Sequence, residues 1–256
     1  MATSYLPPER YSERIEEDSA LLAGLLDEAG WDLDVPTCPG WRMEELVRHL
    51  GAVHRWALAY VSQGLEEMFP QPTEAQMLAS GPRRGELPTW LRAGAAELGA
   101  VLRQSSPDLR CWSFLPAPSP LVFWARRQAH ETAIHRVDGE LALGPSTPLP
   151  ADFAADGVSE LLLGFAHRGR RHLRRDPELA AVLEALDTGD RWRFAATPDG
   201  LEVEAGASLS APTTARAPAH RLYLLLWNRL PLDAVALEGS PEPLTWLRES
   251  LRVTWG

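Results

Sequence analysis

The sequence contains no lysine; all 25 basic residues are arginine. Isoleucine is almost as scarce, while Ala, Leu, Arg, Pro and Trp are abundant. This bias follows the codon usage of a GC-rich genome and carries no mechanistic weight. Other scarcities exclude more. Two cysteines, Cys38 and Cys111, far apart in the chain, cannot make a disulfide framework, and a reducing compartment is expected. No apolar run reaches the ~18 residues that a membrane span needs. The N-terminal stretch has no basic segment followed by an apolar one, so no signal peptide is expected. Basic residues are outnumbered 25 to 35 by Asp and Glu, for a net charge of −10. An acidic surface argues against nucleic acid or an anionic membrane as partner. No internal repeat is present. The expectation is a soluble cytoplasmic protein that handles small molecules.

At 256 residues, with 45% hydrophobic and 23% charged residues, the chain can bury a substantial core. Its first 140 residues carry four stretches of helical periodicity. These are Pro8–Glu28, Met43–Gly64, Pro88–Gln104 and Leu121–Leu143, which together predict a four-helix bundle. A Pro- and Gly-broken loop, DLDVPTCPGW, joins the first two, and a polar connection spans Phe69–Leu87. The stretch DLRCWSFLPAPSP reads as a short extended piece and a turn. GPSTPLP (144–150) reads as a linker, and the pattern changes after it. A helix over 151–169 precedes a hairpin, RWRFAATPDGLEVEAG, turning at Pro198-Asp199-Gly200. A strongly apolar helix, APAHRLYLLLWNRL, a strand, DAVALEG, and a final amphipathic helix, PEPLTWLRESLRVTW, complete a small α+β domain. The predicted domains are 1–146 and 147–256.

Arg126–Glu140 concentrates ligand-type side chains on one helix. Glu131 and His135, four residues apart, project from nearly one face. His130 and His135 are five apart and diverge, so this is not the HExxH arrangement. A metal site needs a third ligand. His49 on the second helix falls within the apolar periodicity, with Glu45 one turn earlier as a candidate to orient its ring. His54 points elsewhere. Each feature has an ordinary reading beside the functional one. E-x-x-x-H pairs are common on solvated helices, and a lone His49 suits a core position. Arg126, Arg127 and Arg136 fit a wet face, and Cys38 a small buried thiol. RGRRHLRRDPE (168–178) reads as a solvated segment.

The combination of VPTCPGWRMEELVRHLGAVHRW, FWARRQAHETAIHRVDGELALG and LYLLLWNRLPLDAV resembles the mycothiol-dependent maleylpyruvate isomerase family. The resemblance covers nearly the whole chain. It rests on Pro39-Gly40-Trp41, the histidine of RHL, and the run from Glu131 through His135 to Asp138. It implies a DinB-like four-helix bundle followed by a sterol-carrier-like α+β domain. It also implies a divalent metal, typically zinc, on His49, Glu131 and His135, with mycothiol as thiol cosubstrate. A C-terminal arginine is implicated in catalysis; Arg229 is the candidate and Arg221 the other. The activity implied is zinc-dependent thiol S-transfer or isomerisation of a small, electrophilic, anionic substrate. Two alternatives stay open: a non-catalytic metal- or ligand-binding protein of this fold, and a metal-dependent hydrolase.

Overall fold

The computed structural model describes residues 5–68 and 72–253. The chain divides into two compact units, one spanning residues 6–147 and the other beginning at Pro148.

The first unit is helical: α1 (Pro8–Ala29), α2 (Met43–Gln63), α3 (Glu74–Leu78), α4 (Leu87–Gln104) and α5 (Pro120–Leu141). α1 and α2 each pack on both α4 and α5. The four long helices therefore form a square in which α1 faces α2, and α4 faces α5, across the diagonals. Local chemistry sets their ends. Ser119 caps α5 through Val122 N–H, and Pro120 occupies the first helical position. Gly64, in the left-handed conformation, ends α2. The Phe69–Leu87 connection contains the short α3, capped by Thr73, and a 3-10 turn at Arg84–Glu86. Residues 69–71 of it lie outside the described part. No strand forms over 108–120, where an extended piece was expected.

α5 is the central element. Every residue from Leu121 to Gly139 is buried except Val122 and Glu131, which are partly so. The wet-face reading of its arginines is therefore overturned: Arg126, Arg127 and Arg136 are 5%, 3% and 1% exposed. Burial of such side chains requires partners. Arg136 Nε donates to Asp18 Oδ1 on α1 (3.2 Å), and its Nη1 donates to Glu140 and to Thr147.

The second unit opens with α6 (Ala151–Ser159), which runs on through a π-helical segment (Glu160–Ala166) into α7 (His167–Gly169). Five strands follow: β1 (Leu179–Ala185), β2 (Arg191–Thr197), β3 (Gly200–Ala205), β4 (Thr213–Ala217) and β5 (Ala236–Glu238). Their order is β3-β2-β1-β4-β5, antiparallel throughout except for the parallel β1–β4 pair. The expected hairpin is β2–β3, with Pro198-Asp199 as its two-residue loop. Gly200 is required there, because a Cβ would lie 2.7 Å from the Arg170 carbonyl oxygen. β1 and β4 form in segments to which no element was assigned from the sequence. α8 (Ala219–Leu226) packs on α6, and α9 (Glu242–Ser250) packs on β1. The C-terminal part of the predicted last helix, at 254–255, lies outside the described residues. Among the described residues no helix is long and apolar enough to cross a membrane.

The α2–α4 contact depends on a missing side chain. Arg55 lies 3.9 Å over the Trp90 ring while its guanidinium binds the Gly51 and Trp90 carbonyls. The indole thereby sits where a Cβ on Gly51 would be, 2.0 Å from Trp90 Cζ3. Gly51→Ala should therefore lower stability by about 1–3 kcal/mol through overpacking, despite alanine's better helix propensity. Urea unfolding measures the loss. In a Trp90→Ala background the same change should cost nothing.

Candidate metal centre

The loop before α2 is shaped by its own sequence. Cys38-Pro39-Gly40-Trp41 is a type II turn, with Trp41 N–H donating to Cys38 O at 3.0 Å and Gly40 at φ +88°. The Val35 N–H bond to Trp41 O (2.9 Å) and the Asp34–Arg42 bridge close the loop. The turn places Thr37, Cys38 and Trp41 beside α5. Trp41 Nε1–H donates to Glu74 Oε1 at 2.7 Å, and its ring lies against His49 and His135, with centroids 4.7 and 6.1 Å away.

His49, Glu131 and His135 are brought together. Nε2 of His49 and Nε2 of His135 lie 3.4 and 3.2 Å from the same oxygen, Glu131 Oε1. The two imidazoles meet edge to face, with centroids 5.0 Å apart. One donor atom from each of the three residues falls within 4.8 Å of the others. The other Glu131 oxygen, Oε2, accepts from Arg127 Nη2 at 2.9 Å. Both imidazoles are buried, and Glu131 retains partial exposure.

Proton accounting shows what this contact requires. Asp138 receives Thr37 Oγ1–H on Oδ1 (2.6 Å), and the Cys38 thiol on Oδ2 (3.3 Å). His135 Nδ1 lies 3.0 Å from that same Oδ2. Opposite an acceptor, Nδ1 carries the hydrogen. A neutral His135 then turns an Nε2 lone pair toward the lone pairs of Glu131 Oε1. A hydrogen between the two atoms, or a metal ion, relieves this contact. With a proton there, burial disfavours the charged imidazole. The hydrogen bonds to Asp138, Cys38 and Glu131 outweigh burial and hold His135 well above its ordinary range. Burial likewise opposes the Glu131 charge, but its bonds to both histidines and the Arg127 charge hold it well below the carboxylate range. His49 is pushed down, chiefly by burial, against the pull of Glu131. Two imidazoles and one carboxylate, converging on one point with spare lone pairs, fit a divalent cation.

Other expectations resolve differently. Glu45 does not orient His49. Its Oε2 accepts the Arg42 N–H at 2.9 Å and so serves the α2 N-terminus. His130 faces α1 and packs on Tyr11. Cys38 is half-buried and forms a second donor group with His135 and Asp138. Sequence reading passed over Thr37 and gave Asp138 no role; the i, i+3 spacing of His135 and Asp138 was the available signal. Arg229 lies in the second unit, after α8. The α8 terminus is a Schellman motif: Arg229 N–H donates to Leu224 O, Asn228 N–H donates to Leu225 O, and Asn228 is left-handed at φ 61°. Arg229 Nη1 donates to Trp227 O at 2.7 Å, and Arg221 is exposed with Nη1 near Ala234 O.

The two units define a class: a DinB-like helical bundle followed by a small mixed α/β unit. Residues 12–139 match the family model of the mycothiol maleylpyruvate isomerase N-terminal domain, and residues 152–244 match that of the C-terminal domain. The chain belongs to the mycothiol-dependent maleylpyruvate isomerase family. It resembles the crystal structure of the mycothiol-dependent maleylpyruvate isomerase at 16% identity, with a TM-score of 0.62 over 91% of this chain and 93% of that one. A histidine-to-alanine mutant of that enzyme matches at 15% identity and a TM-score of 0.63, with the same coverage. Sequence comparison with curated proteins gave no match.

His54, outside the cluster, sets a pH limit on the bundle. Thr132 Oγ1–H donates to Gln128 O (2.7 Å), so this hydroxyl accepts from His54 Nε2–H at 2.9 Å. His54 Nδ1 is buried with no hydrogen-bond partner among the described residues. Burial, assisted by Arg55, pushes its pKa down to about 3. Below pH ~6.5 the unfolded chain binds a proton here that the folded chain refuses. Stability is therefore lost as pH falls from 6.5 toward 3, at up to about 1.4 kcal/mol per pH unit. Denaturant titrations of wild type and His54→Gln should converge, or cross, over that window.

Proposed function

We propose that the chain is a metal-dependent, mycothiol-using enzyme, an isomerase or thiol S-transferase for a small, electrophilic, anionic substrate. His49, Glu131 and His135 are its metal ligands, and zinc is the metal that suits them. The observation that carries the reading is the convergence of two Nε2 atoms and Glu131 Oε1 on one point, with donor atoms of all three residues within 4.8 Å of one another. Family membership of both units supports the choice of thiol and reaction class.

A bound zinc would lower the pKa of a coordinated thiol and keep a thiolate nucleophile available near neutral pH. The protein's own groups do the rest. Arg127 occupies Glu131 Oε2, which leaves Oε1 as the ligand oxygen, and it joins the histidine hydrogen bonds in keeping the carboxylate charged. Trp41 lies across the His49 ring and shields that side from water. Glu131 keeps partial exposure, which gives cosubstrate a way in. Arg229 is proposed as the clamp for an anionic substrate, through the bidentate fork of its guanidinium. Neither cysteine forms a disulfide, which suits a reducing cytoplasm.

Elemental analysis should find about one divalent ion per chain. Alanine at His49, Glu131 or His135 should remove most of it, while His54→Ala and His130→Ala should retain it. Mycothiol added to the cobalt-substituted protein should produce a sulfur-to-metal charge-transfer band that His49→Ala lacks. Arg229→Ala should keep its metal and lose about 1.5–3 kcal/mol in kcat/KM toward an anionic substrate. An unchanged cobalt spectrum, with no electrophile consumed, would sink the thiol-transfer reading and bring forward the binding-protein or hydrolase alternative.

A further inference from the structure

His135 offers two nitrogens to two donor groups. Nε2 faces His49 and Glu131, and Nδ1 faces Asp138 and Cys38. Each group alone has the composition of a metal site. Their proton accounting separates them. In the Nδ1 group three short contacts each pair a donor with an acceptor: the Thr37 hydroxyl with Oδ1, and the Cys38 thiol and His135 N–H with Oδ2. These three contacts are met without a metal ion. Asp138 is fully buried, so its carboxylate cannot turn away to water.

We propose that Asp138 is a positioning residue of the metal centre: held by Thr37 and Cys38, its carboxylate keeps the hydrogen of His135 on Nδ1 and presents Nε2 as the ligand. This rests on the metal reading of the His49–Glu131–His135 group. Fixing the ring by its other nitrogen sets both tautomer and orientation and raises ligand basicity; losing such a partner typically weakens metal binding 10–100-fold. Thr37 and Cys38 extend the effect to the loop closed by the Pro39-Gly40 turn. That loop contributes no ligand to the His49–Glu131–His135 group, yet it steers one.

The test is metal affinity by chelator competition on the full chain, with circular dichroism and melting as checks of the fold. Asp138→Ala should bind zinc about 10–100-fold more weakly. Asp138→Asn, whose amide oxygen can still accept from Nδ1–H, should recover part of that loss. Thr37→Val, which keeps shape and removes one hydrogen bond to the carboxylate, should weaken binding about fivefold, and it serves if Asp138→Ala fails to fold. NMR of the cadmium-loaded, nitrogen-labelled protein should couple the metal to His135 Nε2 in the wild type and to a mixture of both ring nitrogens in Asp138→Ala. Wild-type affinity in folded Asp138→Ala or Thr37→Val overturns the proposal while leaving the ligand trio standing. A wild type that binds no metal removes the trio and this proposal together. A cobalt–thiolate band present before any thiol is added, and lost in Cys38→Ser, also overturns it, because Cys38 would then be a ligand.

Discussion

A charge buried in a protein interior must meet an opposite charge or a hydrogen bond, because desolvation costs several kcal/mol per ion. α5 places that demand on the whole bundle. It carries Arg126, Arg127, His130, His135, Arg136 and Asp138 into the interior, on more than one face. Each neighbouring element answers part of the demand. α1 supplies Asp18 to Arg136, and α2 supplies His49 to Glu131. The loop before α2 supplies Thr37 and Cys38 to Asp138. The chain beyond α5 returns Thr147 to Arg136 and Glu140. The polar side chains of α5 thus fix which segments stand beside it, and the apolar residues fill the remaining space.

The stripe Arg127–Glu131–His135–Asp138 shows how one helix face builds most of a site. Steps of four, four and three residues keep the four side chains within one sector of the helix. Arg127 neutralises one oxygen of Glu131, the other oxygen meets two imidazoles, and Asp138 secures the far nitrogen of His135. The one candidate ligand from outside α5, His49, comes from α2, which packs against it, and Trp41 closes over both rings. Spacing on α5 therefore sets the order of the contacts, and only one tertiary contact is needed to complete the donor set.

The long helices were legible because their apolar periodicity survives burial, and Glu131 with His135 because one-turn spacing puts them on one face whatever surrounds the helix. His49 was a candidate from its place in the apolar periodicity of its helix, but matching it to the pair needed the resemblance, since no local rule says which helix faces which. The arginines of α5 were misread for a physical reason: a charged residue reads as solvated unless its partner is known, and Asp18 is 118 residues from Arg136. β1, LAAVLEA, was missed because its alanines and leucines favour helix. It forms a strand because pairing on both edges and burial on both faces outweigh propensity. β4, TTARA, is five residues long and offers too little alternation to be seen without its neighbours. Glu45 was given to His49 on spacing alone, whereas a capping role at the α2 N-terminus was equally available to it.

The absence of lysine, empty of meaning as composition, gains some in this setting. The buried and half-buried cations of the bundle make several contacts at once. Arg136 binds Asp18, Glu140 and Thr147, and Arg55 holds two carbonyls while lying on an indole. A planar guanidinium with five donors can satisfy such surroundings in one orientation, whereas an ammonium is a compact point charge that burial readily deprotonates. Arg127 is where this bears on chemistry. Its guanidinium lies 2.9 Å from Glu131 Oε2 and joins the hydrogen bonds from both histidines in holding that carboxylate ionised despite burial, whatever positive charge its other oxygen meets.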